Sequence, residues 1–174
     1  MEALVNQNIY FLRQGRCLIA DLEPEYFTSL KDAAGKCTIN DHFLHCLDKY
    51  NCFFRGLSES LINYINPERP EQIQQNQNFV ERKIVEHIYQ LLELRENPPH
   101  SQRLQIVFQL DDEESGVVQQ KIPSSIPREL YMLSNHTAHH YVLISQILLI
   151  HDLECPEHFG AAPKQTNRDR GINS

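Results

Sequence analysis

The feature that most constrains the fold is a seam of apolar residues between positions 39 and 57. Its members return in strict alternation of four and three residues: Ile39, Phe43, Cys46, Tyr50, Phe53 and Leu57. This spacing places them along a narrow stripe of an α-helix, and other helices must cover such a stripe. Thr38, followed three residues later by Asp41, is typical of an N-terminal capping box. The sequence therefore predicts an amphipathic, largely buried helix that starts at Thr38.

Three other long stretches carry apolar residues at helical spacing. The first runs from Glu2 to about Leu22 and the next from about Glu71 to Glu96, and prolines follow both. The last begins after Ser125, which we predict to be its N-cap. A shorter helical turn is expected between Tyr26 and Leu30. Four long helices with short connections predict an antiparallel four-helix bundle, a mainly α fold.

Two short segments before the last long helix have the composition of strands. Residues 104–108 and 117–122 are rich in β-branched and aromatic side chains, and the acidic turn Asp111 to Gly116 separates them. We therefore expect a small β-hairpin inserted before the last long helix. The chain is predicted to form a single domain over residues 1–163, followed by a polar, mobile tail over 164–174.

The composition argues against several classes of partner. A formal net charge of -7 disfavours nucleic-acid binding, which requires a basic face. The first residues lack a secretory signal, and no apolar run is long enough to span a membrane. Five cysteines, without CxxC spacing, are typical of reduced thiols. We therefore expect a cytoplasmic protein with no nucleic-acid partner and no membrane partner.

A pair of histidines in the last helix suggests a metal site. His136 and His140 are four residues apart, so both project from one side of the helix. They share that side with aliphatic residues such as Leu133 and Leu143, where an unpaired polar group costs about 1–3 kcal/mol. A single buried histidine is often only a hydrogen-bonded core residue. Two on one aliphatic face favour a role as metal ligands.

The third ligand is expected from the helix that starts at Thr38. His42 lies nearer the centre of its apolar seam and His45 lies at the edge, where a neighbouring helix would approach. We favour His45, although geometry alone leaves His42 as an alternative. Three imidazoles suit zinc, nickel, iron or copper and leave one position for water or a substrate atom.

The remaining chemistry-bearing residues have simpler interpretations. His139 lies off the face shared by its neighbours and is expected at the rim, whereas His87 is typical of a core histidine. Surface positions are predicted for the histidines without a spacing signal: His100, His151 and His158. Acidic residues 111–114 are expected to be solvated, and the cysteines at 46 and 52 to be small buried hydrophobes. No nucleotide-binding or serine-hydrolase motif is present.

The segments around the histidine motifs resemble the DinB-like superfamily of metal-binding four-helix bundles. The matching segments are residues 41–50, 124–130, 134–141 and 159–163. In that family, a histidine of the second helix, followed three residues later by an acid, joins an HxxxH pair around a divalent metal. His45 with Asp48, and His136 with His140, fit this pattern. The resemblance therefore implies His45 as the third ligand; Lys49 departs from the pattern where relatives often carry a further histidine.

The resemblance also implies a function. Relatives include transferases and isomerases that use low-molecular-weight thiols, and iron enzymes that form a carbon–sulfur bond. We expect a thiol-dependent transferase or hydrolase that acts on a small molecule, with one divalent metal ion (zinc, nickel or iron) and a low-molecular-weight thiol as co-substrate. Arg128 and Glu129 either orient a substrate or, more simply, form a charge pair at a helix start.

Two alternatives remain open. In the first, the metal only stabilises a non-catalytic binding or stress-response bundle. In the second, the chain is a metal-free bundle that works as a homo-oligomer. A homodimer is compatible with either, but no feature of the sequence defines its interface. The catalytic residues themselves are not identified by the sequence.

Overall fold

The computed structural model describes residues 1–65, 77–112 and 116–162, and this part of the chain is mainly helical. Its elements follow in the order α1 (Glu2–Asp21), α2 (Pro24–Ser29), α3 (Ile39–Leu57), β1 (Leu61–Asn63), α4 (Gln77–Glu96), β2 (Arg103–Asp112), β3 (Gly116–Ser125) and α5 (Ile126–Ile150). The predicted start of the third long helix, near Glu71, and the tail over 164–174 lie outside the described residues.

The predicted caps are present at the two helices that carry the histidines. At the start of α3, the Thr38 hydroxyl accepts a hydrogen bond from the Asp41 N–H at 3.1 Å, and the Asp41 carboxylate accepts one from the Thr38 N–H at 2.8 Å. At the start of α5, the Ser125 hydroxyl accepts from the Arg128 N–H at 3.4 Å. These bonds satisfy backbone donors that the first helical turn leaves unpaired. Local sequence therefore determines where both helices begin.

The sheet differs from the predicted hairpin. Strands β2 and β3 pair antiparallel, with Ile106 opposite Ile122, and both are longer than predicted; the backbone of Asp111 and Asp112, expected in the turn, belongs to β2. A further strand, β1, pairs parallel to β2, with Ile62 opposite Ile106. The sheet thus takes strands from both sides of α4. Three residues are too few to show an alternating pattern, and parallel pairing between distant segments leaves no local signal.

Close packing between helices depends on one glycine of α1. A Cβ atom at Gly15 would overlap the Tyr141 hydroxyl and would lie 2.8 Å from the Phe43 ring. Both aromatic side chains are at most 1% exposed and belong to the hydrophobic core. Gly15 therefore permits α1 to approach α5 closely and leaves room for the Phe43 ring of α3. Helix α1 also contacts α4, and α3 contacts both α4 and α5.

Within the described ranges, no helix is both long enough and apolar enough to cross a bilayer.

Candidate metal centre

Packing of α3 against α5 brings three predicted ligands together. One ligand atom from each of His45, His136 and His140 lies within 4.8 Å of the others. The ring centroids are 4.6 Å apart for His136 and His140, 4.8 Å for His45 and His140, and 5.0 Å for His45 and His136. The four-residue spacing places two rings on one side of α5, and α3 supplies the third from across the helix interface. We call these residues the histidine cluster.

The chemistry of the histidine cluster fits a divalent cation. Within the described part of the chain, His136 Nε2 is buried and has no hydrogen-bond partner. Such an atom costs about 1–3 kcal/mol unless it finds a partner, and a cation would provide one. Imidazole donors suit zinc, nickel and iron. All three side chains are partly exposed, although the His136 Nε2 atom itself is buried.

The protonation state of the cluster also favours metal binding. Burial, with the charges of His45 and Lys49 next, lowers the pKa of His136 to about 4. Burial, followed by the charges of His136 and His45, lowers the pKa of His140 to about 3. Both rings are therefore neutral at pH 7, and their nitrogen lone pairs need not lose a proton before they bind an ion.

His42, the alternative third ligand, lies beside the histidine cluster. Its Nδ1 atom is 2.9 Å from Nδ1 of His140. One of these atoms carries the hydrogen and the other accepts it. Because this bond uses Nδ1 of His140, Nε2 is the nitrogen left for an ion. His42 is thus placed where it orients the His140 ring, a contact that the sequence did not reveal.

The other histidines lie where the sequence predicted. His139 is exposed, with its ring centroid 5.3 Å from that of His140. His87 is buried, its Nδ1 atom lies 2.7 Å from Gln90 Oε1, and its ring stacks on Tyr50. The side chains without a spacing signal are exposed: His100, His151 and His158.

The predicted buried cysteines are also found. Cys46 and Cys52 of α3 are both buried, and burial raises the pKa of each thiol. Neither thiol is therefore activated as a nucleophile at neutral pH. They fill the core as small apolar side chains, in agreement with the prediction.

Glu129 is a buried acid that the sequence did not distinguish from a surface charge. Its side chain is 1% exposed, and Arg128 Nη1 donates to its Oε1 atom at 2.6 Å. The Ser124 hydroxyl donates to the same oxygen, and the Tyr64 hydroxyl donates to Oε2 at 2.9 Å. The predicted charge pair at the helix start is therefore present, but it also ties α5 to β3 and to the residue that follows β1. No local sequence pattern indicates that Glu129 is buried.

The chain matches no family model, no curated protein and no solved structure.

Proposed function

We propose that this protein is a metal-dependent enzyme of the DinB-like type, in which His45, His136 and His140 hold one divalent ion. The observation that carries the proposal is the convergence of these three imidazoles, with ligand atoms within 4.8 Å. Three protein ligands leave a position for water or a substrate atom. When bound, zinc, nickel or iron would supply Lewis-acid chemistry and lower the pKa of a thiol or water at that position.

The proposed architecture is an antiparallel four-helix bundle formed by α1, α3, α4 and α5. The packing of these helices supports it, because α1 and α3 each contact both α4 and α5. Metal sites in bundles are commonly built from side chains on facing helices. The position of the histidine cluster between α3 and α5 agrees with that arrangement.

The proposed reaction is thiol-dependent group transfer or hydrolysis on a small molecule. In this scheme the three imidazoles hold the metal, and His42 fixes the orientation of His140 through the 2.9 Å contact between their Nδ1 atoms. The buried Asp48, three residues after His45, matches the acid in the pattern of the DinB-like family. The three ligands, one fewer than the four that close a structural zinc site, favour catalysis over a purely structural metal.

Metal analysis tests the first step of the proposal. The full chain, purified without a histidine tag, is incubated in turn with Zn²⁺, Ni²⁺ and Fe²⁺ and its metal content is measured after dialysis. We expect about one equivalent for at least one metal, and a large loss in His45→Ala, His136→Ala and His140→Ala. His100→Ala, which alters an exposed histidine, is the matched control. Equal metal content in all five proteins would refute the site.

Thiol binding tests the second step. Replacing the metal with Co²⁺ gives an optical signal, and 2-mercaptoethanol is titrated into the loaded protein. A saturable thiolate-to-cobalt band is expected for a thiol-dependent enzyme. If the protein holds cobalt but no such band develops, thiol dependence is wrong. If chelation then lowers the melting temperature strongly without any ligand binding, the metal is structural.

A further inference from the structure

Lys49 lies on α3, one turn beyond His45, and its side chain is half-buried. Its ammonium nitrogen is 5.5 Å from the centroid of the Tyr64 ring. The negative face of an aromatic ring attracts a cation at this distance. The Tyr64 hydroxyl is in turn held by the buried Glu129 carboxylate at 2.9 Å. Tyr64, which contacts the lysine, is therefore itself held in place by Glu129.

His45 and Lys49 are four residues apart on α3, so their side chains project from the same side of the helix. Side chains at this spacing are neighbours on a helix surface, so Lys49 flanks a ligand bound at His45. A cation in this position also repels a divalent metal ion.

No acid in the described ranges forms an ion pair with Lys49; the pairs found there are formed by other cations. Glu129, the buried acid bonded to Tyr64, is already neutralised by Arg128, and both of its oxygens accept hydrogen bonds. The three imidazoles of the histidine cluster are neutral ligands. These ligands would therefore not neutralise a bound divalent ion, and Lys49 adds a cation on the same side of α3.

We propose that Lys49 and the open coordination position of the histidine cluster together form a binding site for a carboxylate group of a small-molecule substrate. This inference rests on the proposed metal-dependent function and names the class of ligand. A carboxylate offers two oxygens, one for the metal, which can accept a fifth ligand beside the thiol or water, and one for the ammonium, and its single negative charge offsets part of their combined positive charge. Hydrogen bonds between ammonium and carboxylate are among the stronger ones in proteins.

The test compares an anionic ligand with a neutral one on the cobalt-loaded full chain. Acetate is titrated into wild type, Lys49→Met and Lys49→Arg, and the cobalt spectrum gives Kd; imidazole, which binds metals without charge, is titrated separately. We expect the acetate Kd to rise about tenfold in Lys49→Met and to stay within about twofold in Lys49→Arg, the loss expected for one charge-assisted hydrogen bond. The imidazole Kd should be the same in all three proteins.

The affinity for Co²⁺ separates this effect from damage to the fold. Removing a repelling cation should leave the cobalt affinity of Lys49→Met unchanged or higher, whereas a distorted site would weaken cobalt and acetate together. Lys49→Gln replaces the methionine variant if the latter does not fold. An unchanged acetate Kd in the neutral variant would overturn the inference while leaving the metal site intact. Failure of the wild type to bind cobalt would overturn the proposed function as well.

Discussion

The Nδ1 atoms of His42 and His140 lie 2.9 Å apart and join α3 to α5 beside the histidine cluster. A ligand histidine is commonly held through its second ring nitrogen, which fixes the tautomer and the direction of the first. The packing of α3 against α5 therefore determines the orientation of His140, a proposed ligand, through its contact with His42.

Replacing His42 should weaken metal binding without removing a ligand. His42→Ala leaves Nδ1 of His140 without its partner, and we expect metal affinity to fall about 10–100-fold, the usual effect of losing such a contact. Affinity is measured by competition with a chromophoric chelator. His139→Ala, which alters an exposed neighbour, should stay within about twofold of wild type. Equal affinity in His42→Ala and wild type would show that the contact does not orient His140.

The stability of the metal-free protein should depend on pH through the cluster. The folded pKa is about 4 for His136 and about 3 for His140, below the ordinary value of 6.5. Between pH 6.5 and the folded pKa values, the unfolded chain binds more protons than the folded chain. The contribution of these two histidines to stability is therefore full above about pH 6.5, falls as the pH decreases, and is lost once the pH is below the folded pKa values. Urea unfolding at several pH values measures this slope. The slope should be shallower in the double variant that combines His136→Asn and His140→Asn. An equal slope would contradict the lowered pKa values of these two histidines.

Removing the Glu129 carboxylate should destabilise the fold. In Glu129→Ala, the Tyr64 and Ser124 hydroxyls and the Arg128 guanidinium lose their shared acceptor, and we expect a loss of about 3–5 kcal/mol in the free energy of unfolding. Tyr64→Phe removes only one donor and should cost about 0.5–1.5 kcal/mol. Urea unfolding gives both values. The exposed Glu93→Gln is the control and should change stability by less than about 0.5 kcal/mol; a Glu129→Ala variant equally close to wild type would disprove the buried network.

Gly15→Ala should be destabilising, although the same change in an exposed helix stabilises by about 1 kcal/mol. The new Cβ would overlap the Tyr141 hydroxyl and crowd Phe43, and such overpacking costs about 1–3 kcal/mol. Because the closest atom is a hydroxyl oxygen, Tyr141→Phe should recover part of the loss when combined with Gly15→Ala. The interaction energy from this double-mutant cycle checks the contact. A stabilised Gly15→Ala protein would mean that α1 and α5 are further apart.

Several parts of the fold could be predicted because their causes are local. Helical periodicity and the caps at Thr38 and Ser125 act within a few residues, so α3 and α5 start where expected. The strands were foreseen only in part. Strand β1 was missed because it has three residues and pairs with a distant segment.

The sequence by itself determined that His136 and His140 share one side of a helix, because four residues nearly complete a helical turn. It did not determine from spacing which histidine of α3 joins them, since His42 and His45 both flank the apolar seam. Tertiary packing decided this: the register of α3 against α5 groups His45 with the pair and places His42 at Nδ1 of His140. The burial of Glu129 and the position of Lys49 over Tyr64 were likewise decided only by tertiary structure, because they depend on contacts between segments far apart in the chain.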